Sequence, residues 1–200
     1  MWDRLKQITP PEGDVLALAD AKAQCRLETT FTDDDTLLTD LIQAAEAMID
    51  GPNGIGVALL TQQWTLALDW WPFDGLRLPL TPFQSLDQVQ YVDLSGALQT
   101  LDPATYVVDD ISSPARFCRA WGAYWPPVRP QFGAVRITFT AGWTEAADVP
   151  QDLKQAAKLL ISHWYQNRDA VVGVENRDSS TELPLGFTRI TERYRAGWLA

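Results

Sequence analysis

The chain has 200 residues, 46% of them hydrophobic and 21% charged, which suits one good-sized folded domain or a domain carrying an insertion. Its formal net charge of −10 argues against a protein that grips DNA phosphates. No apolar run is long enough to span a bilayer, and Met1-Trp2-Asp3-Arg4-Leu5 lacks the basic-then-apolar order of a signal peptide, so cytoplasmic synthesis and no membrane partner are expected.

The segment up to about residue 58 reads as helical. Thr9-Pro10-Pro11 and Gly13 mark an irregular arm, and Leu18 to Leu27 is rich in good helix formers. Thr32-Asp33-Asp34-Asp35 predicts a capping box, with Thr32 as N-cap and Asp35 three residues on. Leu37, Leu38, Leu41, Ile42, Ala45, Met48 and Ile49 then recur at helical spacing. Gly51-Pro52-Asn53-Gly54 stops that helix.

From about residue 60 the period changes to two. Trp64, Leu66 and Leu68 alternate with polar or small residues, as do Leu76, Leu78 and Leu80. Val89 to Asp93, Thr105 to Val108 and Val135 to Thr140 complete the predicted strands. Phe73-Asp74-Gly75, Asp93-Leu94-Ser95-Gly96 and Trp125-Pro126-Pro127 are turn signals between them. Helix returns after Pro150 with Leu153, Ala157, Leu160, Ile161 and Trp164 on one face, ending near Arg168. The polar stretch 169–183 predicts a mobile loop. A terminal helix follows Pro184, with Phe187, Ile190, Tyr194 and Trp198 at helical spacing.

The expected fold class is α+β: a small helical bundle interrupted by an antiparallel sandwich or barrel-like insertion. The expected boundaries are 1–58 and 148–200 for the helical part and 59–147 for the β part. Charge follows this division. Residues 1–59 hold four basic and eleven acidic side chains, whereas residues 150–200 hold seven basic and six acidic.

Little in the chain points to catalysis. Cys25 and Cys118 lie far apart, outside any CxxC spacing, and are expected as two buried thiols. A single histidine, His163, excludes most zinc arrangements, and it sits in a helix with no recognisable nucleophile context. Asp33-Asp34-Asp35 lacks the alternating ligands and glycine of a calcium loop. Gly51 to Gly56 follows a helix and precedes a strand, the reverse of a phosphate loop, so it reads as a linker. No cofactor, metal or catalytic residue is therefore expected. Six of the nine tryptophans fall in the β part, which suits core packing and subunit contact. The alternative is a Trp-rich carbohydrate-binding or adhesion module.

Three stretches together resemble a known family. One is Leu18-Ala19-Asp20-Ala21-Lys22 followed by Asp33-Asp34-Asp35 and the Leu37–Ile49 helix. The second is Leu60-Thr61-Gln62-Gln63-Trp64, then Arg77-Leu78-Pro79-Leu80 and Val89-Gln90-Tyr91-Val92-Asp93. The third is Phe139-Thr140-Ala141-Gly142-Trp143, Val149-Pro150 and His163-Trp164-Tyr165-Gln166-Asn167-Arg168. In this order they are similar to the tailed-phage head–tail connector (adaptor) proteins that carry a β insertion, found in phages, prophages and gene transfer agents. Gly142-Trp143 stands where many relatives carry glycine and tyrosine.

The resemblance implies a virion or particle component at the head–tail junction. It would form a homo-oligomeric ring of about twelve copies with one repeated head-to-tail interface. Its partners would be a portal protein on one side and a tail-completion or stopper protein on the other, with DNA passing through the channel without sequence-specific binding. The candidate portal and ring contacts are Trp164, Tyr165, Arg168, Arg177, Phe187, Arg189, Arg193, Tyr194, Arg195 and Trp198. The acidic helical surface is expected to face the channel and repel DNA phosphates.

Overall fold

The computed structural model describes residues 4–167 and 184–195. The fold is α+β, with four helices and two antiparallel sheets among those residues. The chain divides into two compact units: Met1–Glu12 with Gly56–Thr144, and Gly13–Ile55 with Glu145–Ala200.

The first unit holds every strand among the described residues. In chain order they are β1 (Leu5–Thr9), β2 (Gln62–Leu68), β3 (Leu76–Arg77), β4 (Phe83–Val92), β5 (Leu98–Thr100), β6 (Tyr106–Asp109), β7 (Arg116–Arg119) and β8 (Val135–Ala141). One sheet runs β1-β2-β8-β4-β5 and the other β3-β7-β6. Period-two patterning dictates the layering. In β8, Val135, Ile137, Phe139 and Ala141 point inward while Arg136, Thr138 and Thr140 point out. In β2, Trp64 and Leu66 do the same opposite Phe139 and Ile137. From the smaller sheet and its margins come Leu76, Leu78, Leu80, Ala115 and Phe117, and the two sheets share one core. The buried Gln62 is satisfied there, accepting from Trp64 Nε1 at 3.0 Å and Gln7 Nε2 at 2.8 Å.

The opening residues depart from the helical reading. Lys6 and Gln7 alternate with Leu5 and Ile8 too weakly to announce a strand, yet β1 pairs along β2 from Leu5↔Leu66 to Thr9↔Gln63. An edge strand with one solvated face needs little apolar patterning, because backbone pairing holds it.

The second unit holds α1 (Leu18–Gln24), α2 (Asp35–Ala47), α3 (Gln151–Gln166) and α4 (Leu185–Arg195). The stripe Leu38, Ile42, Ala45 and Ile49 is buried, as are Leu153, Ala156, Ala157, Leu160 and Ile161 on α3. The capping box is not formed: α2 starts at Asp35, and no side chain caps it. The three aspartates have separate duties instead. Asp33 is exposed, Asp34 accepts the Tyr165 hydroxyl at 2.5 Å, and Asp35 pairs with the buried Lys22 ammonium at 2.6 Å. An ion pair to a desolvated lysine outweighs a cap, which water can replace. The thiols also depart from expectation. Cys25 is half-buried and Cys118 exposed, and no disulfide joins them.

Glu46 on α2 holds the segment before α1 in place, accepting from the Val15 and Leu16 amides at 2.8 and 2.9 Å. Burial pushes its carboxyl up to about 7, outweighing those two donors, and Asp14 and Asp50 add to the rise. The folded state therefore holds this proton more tightly than the unfolded chain does. That contribution to stability is complete below the ordinary value of 4.5 and is lost as pH rises through about 7. Asp93 and Asp109, held down to about 2, titrate outside this window. Glu46→Gln should flatten the fall in melting temperature between about pH 5 and about pH 8. An unchanged slope in thermal melts of the variant would refute the assignment.

Candidate docking surface

The C-terminal candidates sit on two helices. Trp164 and Tyr165 lie in the last turns of α3, both half-buried. On α4, Arg189, Arg193 and Arg195 are exposed and Tyr194 is half-buried. Phe187 has a different role: it is 3% exposed and belongs to the core of its unit. Thr191, also buried, returns its hydroxyl proton to the Phe187 carbonyl at 3.0 Å. Arg168, Arg177 and Trp198 lie outside the described residues, as does the predicted loop 169–183.

Asp152, in the first turn of α3, ties down one side of α4. Its carboxylate receives Arg193 Nη2 at 2.9 Å and the Tyr194 hydroxyl at 2.6 Å. Burial, and then the facing carboxylate, push the Tyr194 phenol up to about 12. Arg193 and Tyr194 thus hold the helix to its own unit. Arg189 and Arg195 remain as the exposed cationic groups of the helix, a suitable contact for acidic side chains on another protein.

Two concavities lie on the β unit among the described residues. One, of about 490 Å³, lies along β3 and β7 and is lined by Asp74, Arg77, Asp109, Arg116, Phe117 and Cys118. Its polar groups serve each other: Arg116 Nη2 pairs with Asp109 at 2.6 Å, and Ser112 donates to the same carboxylate at 2.6 Å. The other, of about 550 Å³, is the solvated face of the larger sheet, where Lys6 and Arg136 stand among glutamines and threonines. Neither brings together a nucleophile, a base and an orienting acid. His163 is half-buried on α3, and its carbonyl accepts from Asn167. Among the described residues, no three His, Cys, Asp or Glu side chains converge as metal ligands, and no helix is long and apolar enough to cross a membrane.

The tryptophans divide by place. Trp64 is buried, whereas Trp71 and Trp125 stack on each other with ring centres 4.6 Å apart. Trp70 is largely exposed and Trp121 fully so. Aromatic composition alone does not separate these groups. Position relative to the strands separates only Trp64, on β2, because Trp71 and Trp125 share their connections with Trp70 and Trp121.

No protein-family model matches the chain, and no curated protein matches it. Solved structures do. The chain is similar to one in the neck of an empty gene transfer agent (GTA) particle computed with C6 symmetry. That match has 29% identity and a TM-score of 0.73, and it covers 96% of this chain and 94% of the other. A chain in the virion of a native GTA particle gives 28% identity and a TM-score of 0.73 over the same shares. A third, in the neck of a native GTA particle computed with C12 symmetry, gives 28% and 0.69. The likeness therefore spans both compact units, strands and helices alike.

Proposed function

We propose that this chain is a structural component of the neck of a gene transfer agent or related tailed particle. Within the neck it acts as a head–tail connector: copies form a ring between the portal and the tail-completion proteins, and the ring extends the DNA channel. The supporting observation is the near full-length likeness to neck chains, 96% of this chain against 94% of theirs at a TM-score of 0.73. The C6 and C12 symmetry of those necks favours a cyclic arrangement of copies. A ring of this kind repeats one head-to-tail interface and needs no reaction centre. The work is done by shape, by charge and by many weak contacts acting together.

Charge supports the channel role. The residues of the helical unit carry seventeen acidic and nine basic side chains, those of the β unit nine and seven. An acidic wall repels phosphate, so DNA would pass without sticking. Arg189 and Arg195 are our choice for the portal contact.

Particles made without this chain should be filled heads lacking tails when viewed by electron microscopy. Complete, tailed particles in its absence would overturn the reading. Restoring the chain as Arg189→Glu with Arg195→Glu should recover few tails, because the charge reversal opposes docking while sparing the Asp152 clasp. Deleting residues 186–200 is a poorer test, since it also removes Phe187 from the core.

A further inference from the structure

Connections at one end of the β unit carry exposed aromatic side chains. The register places Leu68 opposite Val135, and Val135 opposite Tyr91, at this end of the larger sheet. Three connections, 69–75, 93–97 and 120–134, meet there. Gly133 donates to Asp69 at 2.8 Å, Arg129 donates its amide to Val92 at 2.9 Å, and Trp71 Nε1 donates to the Pro126 carbonyl at 2.8 Å. The connections carry Trp70 (59% exposed), Phe73 (99%), Leu94 (65%), Trp121 (104%), Tyr124 (83%) and Phe132 (88%). The chain enters and leaves the unit at the opposite end, after Thr9 and Ala141 and before Gln62.

The charges here balance, with Arg4, Arg119 and Arg129 against Asp69, Asp74 and Asp93. Arg4 pairs with Asp69 at 2.7 Å. Asp93 accepts from Ser95, Ala97 and Gln99 within its own turn. Arg119 lies over the Tyr124 ring at 6.0 Å. The surface therefore offers neither the basic field an anionic polymer needs nor an acidic one. It offers apolar area. Large aromatic side chains bury 150–250 Å² apiece, so these five rings together with Leu94 expose on the order of 1,000 Å². A standard protein–protein interface takes about 800 Å² from each side.

We propose that this loop end docks into an uncharged apolar groove on a different protein of the particle. The inference rests on the neck reading above. A second copy fits less well. A cyclic ring of more than two copies joins unlike patches, so loop end cannot meet loop end within it. Nor do the described residues show another set of exposed aromatic side chains to receive it. The other exposed large apolar side chains among them are Ile8, Met48, Leu98, Val107, Ile111 and Leu185, all aliphatic or thioether, and four of the six are no more than half exposed. Pressing five aromatic rings on polar surface would leave buried groups unpaired.

A photoreactive phenylalanine analogue placed at Trp121, and separately at Phe132, tests this in assembled particles. The expected result is a cross-link to another polypeptide of the particle from both positions. Cross-links to a second copy, or none although the chain is present, would overturn the docking inference and leave the neck reading standing. Absence of the unsubstituted chain from particles would overturn both. Phe73→Ser with Trp121→Ser should lower the yield of complete particles at least about tenfold without moving the melting temperature, because neither side chain is packed. An undiminished yield would refute the inference, as would glycan binding by the isolated wild-type chain that these two substitutions abolish.

Discussion

Gly142→Ala is expected to unfold the β unit under conditions where the natural sequence is intact, at a cost of about 4 kcal/mol or more. Two independent penalties act at this residue. Its φ of +115° is a conformation that side chains with a Cβ rarely adopt. A Cβ there would also lie 2.0 Å from the Leu60 carbonyl oxygen and 2.3 Å from its carbon. Both are backbone atoms, so rotation of a flexible side chain cannot relieve the overlap. The backbone is fixed from other directions too. The Gly142 amide donates to Pro82 at 2.8 Å, its carbonyl receives Gln84 Nε2 at 2.6 Å, and Leu60 bridges to Trp143. Any shift that admits a methyl group therefore breaks the junction where β2, β4 and β8 end together. Denaturant titration by circular dichroism would measure the loss. A cost under about 1 kcal/mol would mean that the junction is far softer than its geometry indicates.

That glycine also marks how far the sequence could be read. Strict alternation made β2 and β8 legible, because both have one buried and one solvated face. The long stripes of α2 and α3 were legible for the matching reason at helical period. β1 was not, since an edge strand is held by ladder bonds that any side chain permits. β7, Arg116–Arg119, was hidden because only Phe117 of its four residues is buried. The duties of the acidic triplet are not legible locally, because its partners, Lys22 and Tyr165, come from elsewhere in the sequence. Among the docking candidates, helical spacing grouped Phe187 with Tyr194, but spacing alone cannot say which face of α4 is covered. Exposure assigns Phe187 to the core and leaves Arg189 and Arg195 outside. The exposed loop aromatics follow the same logic. Tryptophan frequency suggests contact somewhere, and only the tertiary fold separates Trp64 inside from Trp121 outside.

Phe117→Ala should cost about 3–5 kcal/mol, with an effect that reaches the exposed loops. Phe117 is wholly buried and stands in a run of neighbouring rings. Its ring centre is 5.3 Å from Tyr106 and 5.7 Å from Trp125; Trp125 stacks on Trp71 at 4.6 Å, and Trp71 meets Tyr91 at 5.7 Å. These rings connect β7 and β6 of the smaller sheet to β4 of the larger one through the connections 69–75 and 120–134. Truncation removes the ring on which Trp125 rests, and a large cavity collapses only in part. Trp125 and Trp71 then lose packing, and the connections 69–75 and 120–134, which carry the exposed aromatic residues, lose an anchor. The measurable consequence is twofold. The melting temperature falls, and the tryptophan fluorescence of the still-folded protein shifts to the red as the stacked pair becomes solvated. Phe117→Leu, which keeps most of the volume, should recover most of the stability and less of the fluorescence shift. Destabilisation with unchanged tryptophan emission would show that the loops are held independently of this ring, and the support assigned to it would be wrong.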